Sequence, residues 1–218
     1  MSALLSRHIC LSFLQSVRQC LDSTDESCVV AAIGSLGDFA SISPSSLQLV
    51  LDDRALADAW LALLSRKVEL QGATLKSIAT VVSSAALRGG AGPALTRELL
   101  SRASSVRGDL LAFALQAAMR PFPEMKEAAY ALLAAVAAQT WGVVPLLALP
   151  RFASFIVDTE VEMTREGKLW KFEVVRALAD NPTLKNGPDD VVAAIVSAAN
   201  KGPFHVFAKL VGPITMNR

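Results

Sequence analysis

The sequence predicts an all-α fold, a right-handed α-solenoid in which paired helices stack one repeat upon the next. Three observations predict it: a composition dominated by Ala, Leu, Val and Ser, four apolar stretches that align without gaps, and no sustained strand alternation bounded by hairpin turns. Apolar side chains make up 52% of the 218 residues and aromatics only 6%. Such an interior must be filled by aliphatic residues and alanine, which favour helices and let them approach closely. No long hydrophilic or Gly/Ser-rich linker interrupts the chain, so residues 1–218 read as one solenoid domain of about four to five repeats.

The repeat is visible in "CVVAAIGSLGDFA" from Cys28, "LQGATLKSIATVV" from Leu70, "MKEAAYALLAAVA" from Met125 and "WKFEVVRALADNP" from Trp170. Counted from each first residue as zero, position five holds Ile33, Leu75, Tyr130 and Val175, and position eight holds Leu36, Ile78, Leu133 and Leu178. Position nine is always small: Gly37, Ala79, Ala134 and Ala179. The starts lie 42, 55 and 45 residues apart. Periods of roughly forty to forty-seven characterise HEAT and armadillo arrays, so the stacked repeats are expected to be of that type. The long second interval contains "RGGAGP", residues 88–93, where an inserted loop would lengthen a repeat without disturbing its helices.

The intervening stretches carry helix signals of their own. Ser43 is a cap for a helix with Pro44 in its first turn, and the apolar run behind it continues through Leu64. Gly92-Pro93 opens "GPALTRELLSRA", and "GDLLAFALQAAM" stops before Pro121. Asp52-Asp53 and Asp189-Asp190 read as acids at helix starts, favourable to the N-terminal dipole. The last of these helices begins at Pro188 and closes at Gly202-Pro203.

On a helical wheel, positions zero, four, five and eight of the repeat cluster within about 140° and form the core face, Trp170 included. Position one shares that arc yet holds Gln71, Lys126 and Lys171, whose long side chains are expected to reach water from the first turn. Positions three, six and ten share about 60° on the opposite side. They carry Asp38, then Lys76 and Thr80, then Ala128, Ala131 and Ala135, then Glu173, Arg176 and Asp180. If these are the inner helices of the superhelix, this stripe is a partner groove with charged ends and a smooth apolar floor. Otherwise it is a solvated face, or one covered by a neighbouring helix.

Other chemistries find no footing. Lys and Arg number 21 against 20 Asp and Glu, without the basic excess of a phosphate-binding protein, and Trp170 and its neighbouring charges are expected to point apart. No nucleic-acid partner is therefore expected. The glycines at 89, 90 and 92 lack a following Lys-Ser/Thr pair, and no Rossmann, H-E-x-x-H or G-x-S-x-G pattern occurs. His8 and His205 lie at opposite ends of the expected rod. No catalytic residue, metal site or cofactor is expected. Cys10, Cys20 and Cys28, an odd count without a close pair, read as reduced, buried helical thiols rather than as metal ligands with His8.

Residues 1–21 hold no acid, with Arg7, Arg18 and several serines, a transit-peptide composition that an amphipathic helix of the fold also explains. Ala128–Pro150 is uncharged and long enough to span a bilayer. It is rich in alanine, though, and broken by Gly142 and Pro145, so two short helices joined near Trp141 and Gly142 are expected and no membrane insertion.

The stretch "LPRFASFIVDTEVEMTREGKLWKFEVVRALADN", then "NGPDD", then a helix ending in "KGPFHVF", resembles the closing portion of a proteasome assembly chaperone family, non-ATPase regulatory subunit five of the regulatory particle. "SCVVAAIGSLGDFA" and "AAYALLAAVAAQTWGV" look like repeats of the same family, and the similarity corresponds to roughly the C-terminal half of a typical member. The resemblance implies a non-catalytic HEAT/armadillo scaffold, monomeric and cytoplasmic or also nuclear. It would bind the C-terminal domain of an AAA ATPase subunit of the proteasome base during assembly. A generic armadillo/HEAT adaptor for another protein is the alternative. No contact residue of the family maps onto this chain, so Asp38, Lys76, Thr80, Glu173, Arg176 and Asp180 rest on the wheel alone.

Overall fold

The computed structural model describes residues 2–205, with side chains from Ile9 onward. The first helix, α1 (Ser2–Leu21), buries Leu14, Val17 and Leu21, an apolar stripe at helical spacing. The part of the transit-like segment described is thus one layer of the fold; Met1 and the side chains through His8 lie outside the described residues. Three groups of helices follow. They are α2 (Glu26–Ser41), α3 (Pro44–Asp52) and α4 (Arg54–Ala62), then α5 (Val68–Ser83), α6 (Gly92–Arg107) and α7 (Leu110–Ala118), then α8 (Pro123–Ala137), α9 (Val143–Leu147) and α10 (Phe152–Val157). A last long helix, α11 (Arg165–Ala179), is followed by a 3₁₀ turn over Pro182–Asn186 and by α12 (Asp189–Lys201). There is no strand among the described residues.

The four aligned stretches fall in α2, α5, α8 and α11, which pack successively against one another and make the main ladder of the solenoid. Positions five and eight meet the expectation throughout. Ile33, Leu36, Leu75, Ile78, Tyr130, Leu133, Val175 and Leu178 are all buried, each aliphatic side chain contributing about 1.5–3 kcal/mol of burial. At position nine of the first stretch, Gly37 is small because the next helix comes so close. A Cβ on Gly37 would lie 2.3 Å from Ser77 Oγ, and that hydroxyl donates to Ile33 O at 2.7 Å.

Local signals set the boundaries. Asp25 caps α2, and Ser43 caps α3 by accepting from Ser46 N, with Pro44 in the first turn as expected. The apolar run through Leu64 is not one helix. Asp53 leaves helical geometry (φ −78°, ψ 84°) and its carboxylate caps α4 through Leu56 N, so the chain breaks where the backbone gains a capping bond. Asp109 and Thr164 cap α7 and α11 in the same way. The uncharged stretch 128–150 divides as expected: α8 stops at Ala137, and Pro145 is accommodated within the first turn of α9. At the junction, a Cβ on Gly142 would lie 1.8 Å from Val136 O, an approach only glycine allows. No helix is long and apolar enough to cross a membrane among the described residues. Much of the extra length of the second interval sits in α6, 16 residues against 9 in α3, with a short turn at 88–91 before it.

The C-terminal ends of the ladder helices are tied to one another. Ser84 Oγ donates to Ser41 O at 2.7 Å, and Gln139 Nε2 donates to Val82 O at 2.6 Å. Asn181 Nδ2 donates to Ala137 O at 2.7 Å and to Gln139 O at 2.9 Å, while Thr183 Oγ1 reaches Thr140 O at 3.2 Å. The last carbonyls of a helix have no partner within it. Here the following repeat supplies one, at about 1 kcal/mol per bond.

Candidate protein-binding cleft

Between α8 and α11 the ladder opens into a cleft of about 600 Å³. Its floor is Tyr130, Ala131, Ala134, Ala135, Ala138 and Ala177, its far end is Asn181 and Pro182, and Ser83 and Arg88 close it from the α5 side. The alanines are there because α8 packs tightly on both neighbours, and this same smallness leaves room above them. Trp170, Glu173, Arg176 and Asp180 form the α11 wall.

Of the stripe residues expected from the sequence, Glu173, Arg176 and Asp180 converge on this cleft with Ala131 and Ala135. Glu173 and Arg176 pair with each other at 2.5 Å, one turn apart and both exposed. Lys76, exposed on α5, pairs at 2.8 Å with Glu127, which lines the cleft, and so borders it. Thr80 is half-buried and donates its hydroxyl to Lys76 O at 3.1 Å, while Asp38 is exposed on α2; neither lines the cleft. Ala128 is buried, part of the packing rather than of a floor.

Two expectations need correction. The wheel puts Trp170 in the core, pointing away from the charges. In the fold it is half-buried and lines the cleft beside Glu173 and Arg176, because a side chain of that size at the edge of a helix pair is covered on one side only. The wheel also sends Lys126 and Lys171 to water. Lys171 is instead 3% exposed, and Lys126 donates to both carboxylate oxygens of Glu162, at 3.0 and 2.8 Å. The carboxylate comes from the connection before α11 and is 2% exposed, so a buried partner holds the ammonium inside. The cysteines are half-buried and free rather than fully buried. The metal reading with His8 falls outside the described side chains.

Glu162 is what sequence reasoning missed. It accepts from Tyr130 Oη at 2.5 Å as well as from Lys126, and so pins the 158–164 connection beneath the cleft floor. A Cβ on Gly167 would lie 2.5 Å from Glu162 Oε2, so the start of α11 is cut to fit the carboxylate. Lys171 Nζ donates to Asp158 O and lies 4.3 Å from the centre of the Phe155 ring, which stacks parallel to Tyr130 at 6.3 Å. Burial pushes the Lys171 ammonium down to about 8, against the opposing pull of Asp158 and Glu162. Burial, then the hydrogen bond and charge of Glu162, holds the Tyr130 phenol well above its usual value. The signal in the sequence is "VEM": Val161 and Met163 are exposed while the acid between them is buried, the reverse of a usual amphipathic pattern.

Among solved structures, the chain is similar to a designed armadillo repeat protein in complex with the peptide (KR)4, at a TM-score of 0.59 and 17% identity, covering 87% of this chain and 72% of that one. An engineered protein gives a TM-score of 0.59 at 16% identity, covering 85% and 67%. These likenesses show the fold, an all-α solenoid of armadillo/HEAT type. The human (Homo sapiens) 26S proteasome non-ATPase regulatory subunit 5 is 35% identical over 81 residues, which are 37% of this chain and 16% of that protein. Its bovine (Bos taurus) counterpart is 35% identical over 65 residues, 30% of this chain and 13% of the relative. The matched stretches thus span less than a fifth of either relative. The family model described as proteasome non-ATPase 26S subunit matches residues 9–213, all four ladder helices included. This chain belongs to the proteasome non-ATPase 26S subunit family.

Proposed function

We propose that this protein is a non-catalytic scaffold that assists assembly of the proteasome regulatory particle by binding the C-terminal domain of an AAA ATPase subunit of the base. The observation that carries the reading is the family match over residues 9–213 on a helical ladder whose concavity suits a protein surface rather than chemistry. The cleft is floored by alanines, which allow a partner backbone close approach, and rimmed by exposed charges that set orientation more than affinity. Arg88 and Asp180 have no ion-pair partner among the described residues, so they are the rim charges open to a partner. Glu173 and Arg176 contribute through the edge of their pair, with Lys76 beside Glu127; Asp38 and Thr80 would extend the surface toward α2. A monomer acting in the cytoplasm or nucleus fits this role.

Titration of the purified chain with isolated C-terminal domains of the base ATPases, followed calorimetrically, tests the reading. We expect one of them to bind, and Arg176→Glu with Asp180→Lys to weaken it at least tenfold without change in helix content. Saturable binding to none of these domains, with a different protein captured reproducibly through the same cleft, would leave a generic armadillo/HEAT adaptor instead.

A further inference from the structure

The turn that joins α1 to α2 brings two of the three cysteines together. The helices pack on each other across a link of four residues, 22–25, and so run antiparallel; farther along them Phe13 meets Phe39, with ring centres 5.3 Å apart. The link is tight, since Ser23 N donates to Cys20 O at 3.1 Å and Asp25 caps α2 by accepting from Ser27 N. Cys20 and Cys28 each stand four residues from Thr24, about one helical turn either side of the bend. Each precedes a core residue, Leu21 on α1 and Val29 on α2, and each is half-buried at the edge of the seam. There the Cys20 thiol hydrogen-bonds to Cys28. Cys10 lies apart, ten residues or about 15 Å back along α1, where it lines a shallow groove with Pro44, Gln48 and Leu95.

We propose that Cys20 and Cys28 form a peroxide-sensitive dithiol site whose oxidation to a disulfide staples α1 onto α2. The hydrogen bond to Cys28, then burial and the charge of Cys28, raise the Cys20 thiol above its ordinary value, so Cys20 keeps its proton and Cys28 is the sulfur that attacks. The Cys28 thiolate takes one oxygen of hydrogen peroxide, breaking the O–O bond to give a sulfenic acid and hydroxide. Cys20, having given its proton to that hydroxide, attacks the sulfenic sulfur; the S–S bond forms, the S–O bond breaks, and the oxygen leaves as water. Two thiols and one peroxide thus yield one disulfide and two waters, the sulfurs losing the two electrons that the peroxide gains. A disulfide needs Cα atoms within about 7 Å, and thiols already in contact across so short a link have little distance to close. Among the described residues, reduced α1 is held by the packing of Phe13, Leu14, Val17 and Leu21, to which the bridge adds a covalent tie. This is independent of which protein the α8/α11 cleft binds.

The test treats the full wild-type chain with hydrogen peroxide and maps its thiols by alkylation and peptide mass spectrometry, so it does not depend on the folding of a variant. Expected is a bridge between Cys20 and Cys28 that forms at least about tenfold faster than Cys10 is oxidised, at a rate independent of protein concentration, and that a dithiol reductant reverses. Hydrogen exchange at the C-terminal end of α1 should slow on the order of tenfold in the bridged chain, because that end can no longer part from α2. Cys20→Ser should leave Cys28 as a sulfenic acid that dimedone captures, and Cys28→Ser should leave Cys20 slow to react. Oxidation of all three cysteines at equal rates would overturn the proposal. So would a sulfinic acid on Cys28 beside a free Cys20 in the wild type, or a bridge formed only between two chains. Bridging with no change in α1 exchange would overturn the staple.

Discussion

Tyr130 Oη and Glu162 Oε1 lie 2.5 Å apart, a hydrogen bond that joins the floor of the cleft to the connection leading into α11. The carboxylate is nearly inaccessible and holds Lys126 as well, so three polar groups balance one another in a place where none could remain alone.

Glu162→Ala should therefore be the most costly single truncation near the cleft, destabilising by about 3–5 kcal/mol because it leaves Lys126 and Tyr130 without their acceptor. Tyr130→Phe removes one bond to a charged group and should cost about 1.5–3 kcal/mol. Urea unfolding of the two variants orders them. A Glu162→Ala chain as stable as the wild type would mean that the connection is not pinned from below.

Lys171 predicts a pH dependence whose sign can be worked out. Its pKa in the fold, about 8, lies below the unfolded value of 10.5. Between these values the folded chain binds fewer protons than the unfolded one, so stability rises as pH climbs from about 8 towards 10. Tyr130 acts oppositely, its raised pKa withdrawing stability once the unfolded phenol ionises above about 10. Denaturation midpoints at pH 7.5, 8.5 and 9.5 should increase in the wild type and flatten in Lys171→Met.

Gly34 and Gly37 make a matched pair within α2. Gly34 has open space where a methyl would stand, whereas a methyl on Gly37 would press against Ser77. Gly34→Ala should stabilise by about 0.5–1 kcal/mol through helix propensity, and Gly37→Ala should destabilise despite the same gain. Thermal midpoints moving in the same direction for both would sink the close-approach account of position nine.

Asn181→Ala removes both donors to Ala137 O and Gln139 O, and with them the acceptor for Thr183. A loss of about 2 kcal/mol is expected, with exchange quickening at the ends of α8 and α11 rather than at their starts. Leu178→Asp, at a fully buried site on α11, should go further and unfold the last repeat.

The ladder was legible because its signal is local. Positions five and eight repeat the same apolar pair in each stretch, and these residues sit where the period places them. The half-buried Trp170 was not, since a wheel divides a helix into faces but does not say where two helices part. Lys126 and Lys171 misled for a related reason. Whether a lysine reaches water depends on Glu162, 36 residues beyond Lys126 in the chain, and on a connection with no period to betray it. Of the stripe, Glu173 and Arg176 on α11 and Asp180 at its C-terminal cap stayed together, while Asp38 was separated by the stacking of two further repeats.

Two kinds of tie between successive ladder helices sit toward opposite edges. At the C-terminal ends the stitches are neutral hydrogen bonds from Ser84, Gln139 and Asn181. Nearer the N-terminal ends of α2 and α8, Lys67–Glu26 and Lys76–Glu127 are exposed ion pairs, weak and sensitive to salt. The array is thus sewn along one hem and merely buttoned along the other. Between α8 and α11 the button gives way to a clasp, the buried cluster of Glu162 with Lys126 and Tyr130, so the step of the ladder that holds the cleft is fastened on both sides and keeps its width while the earlier steps can flex at their open edge.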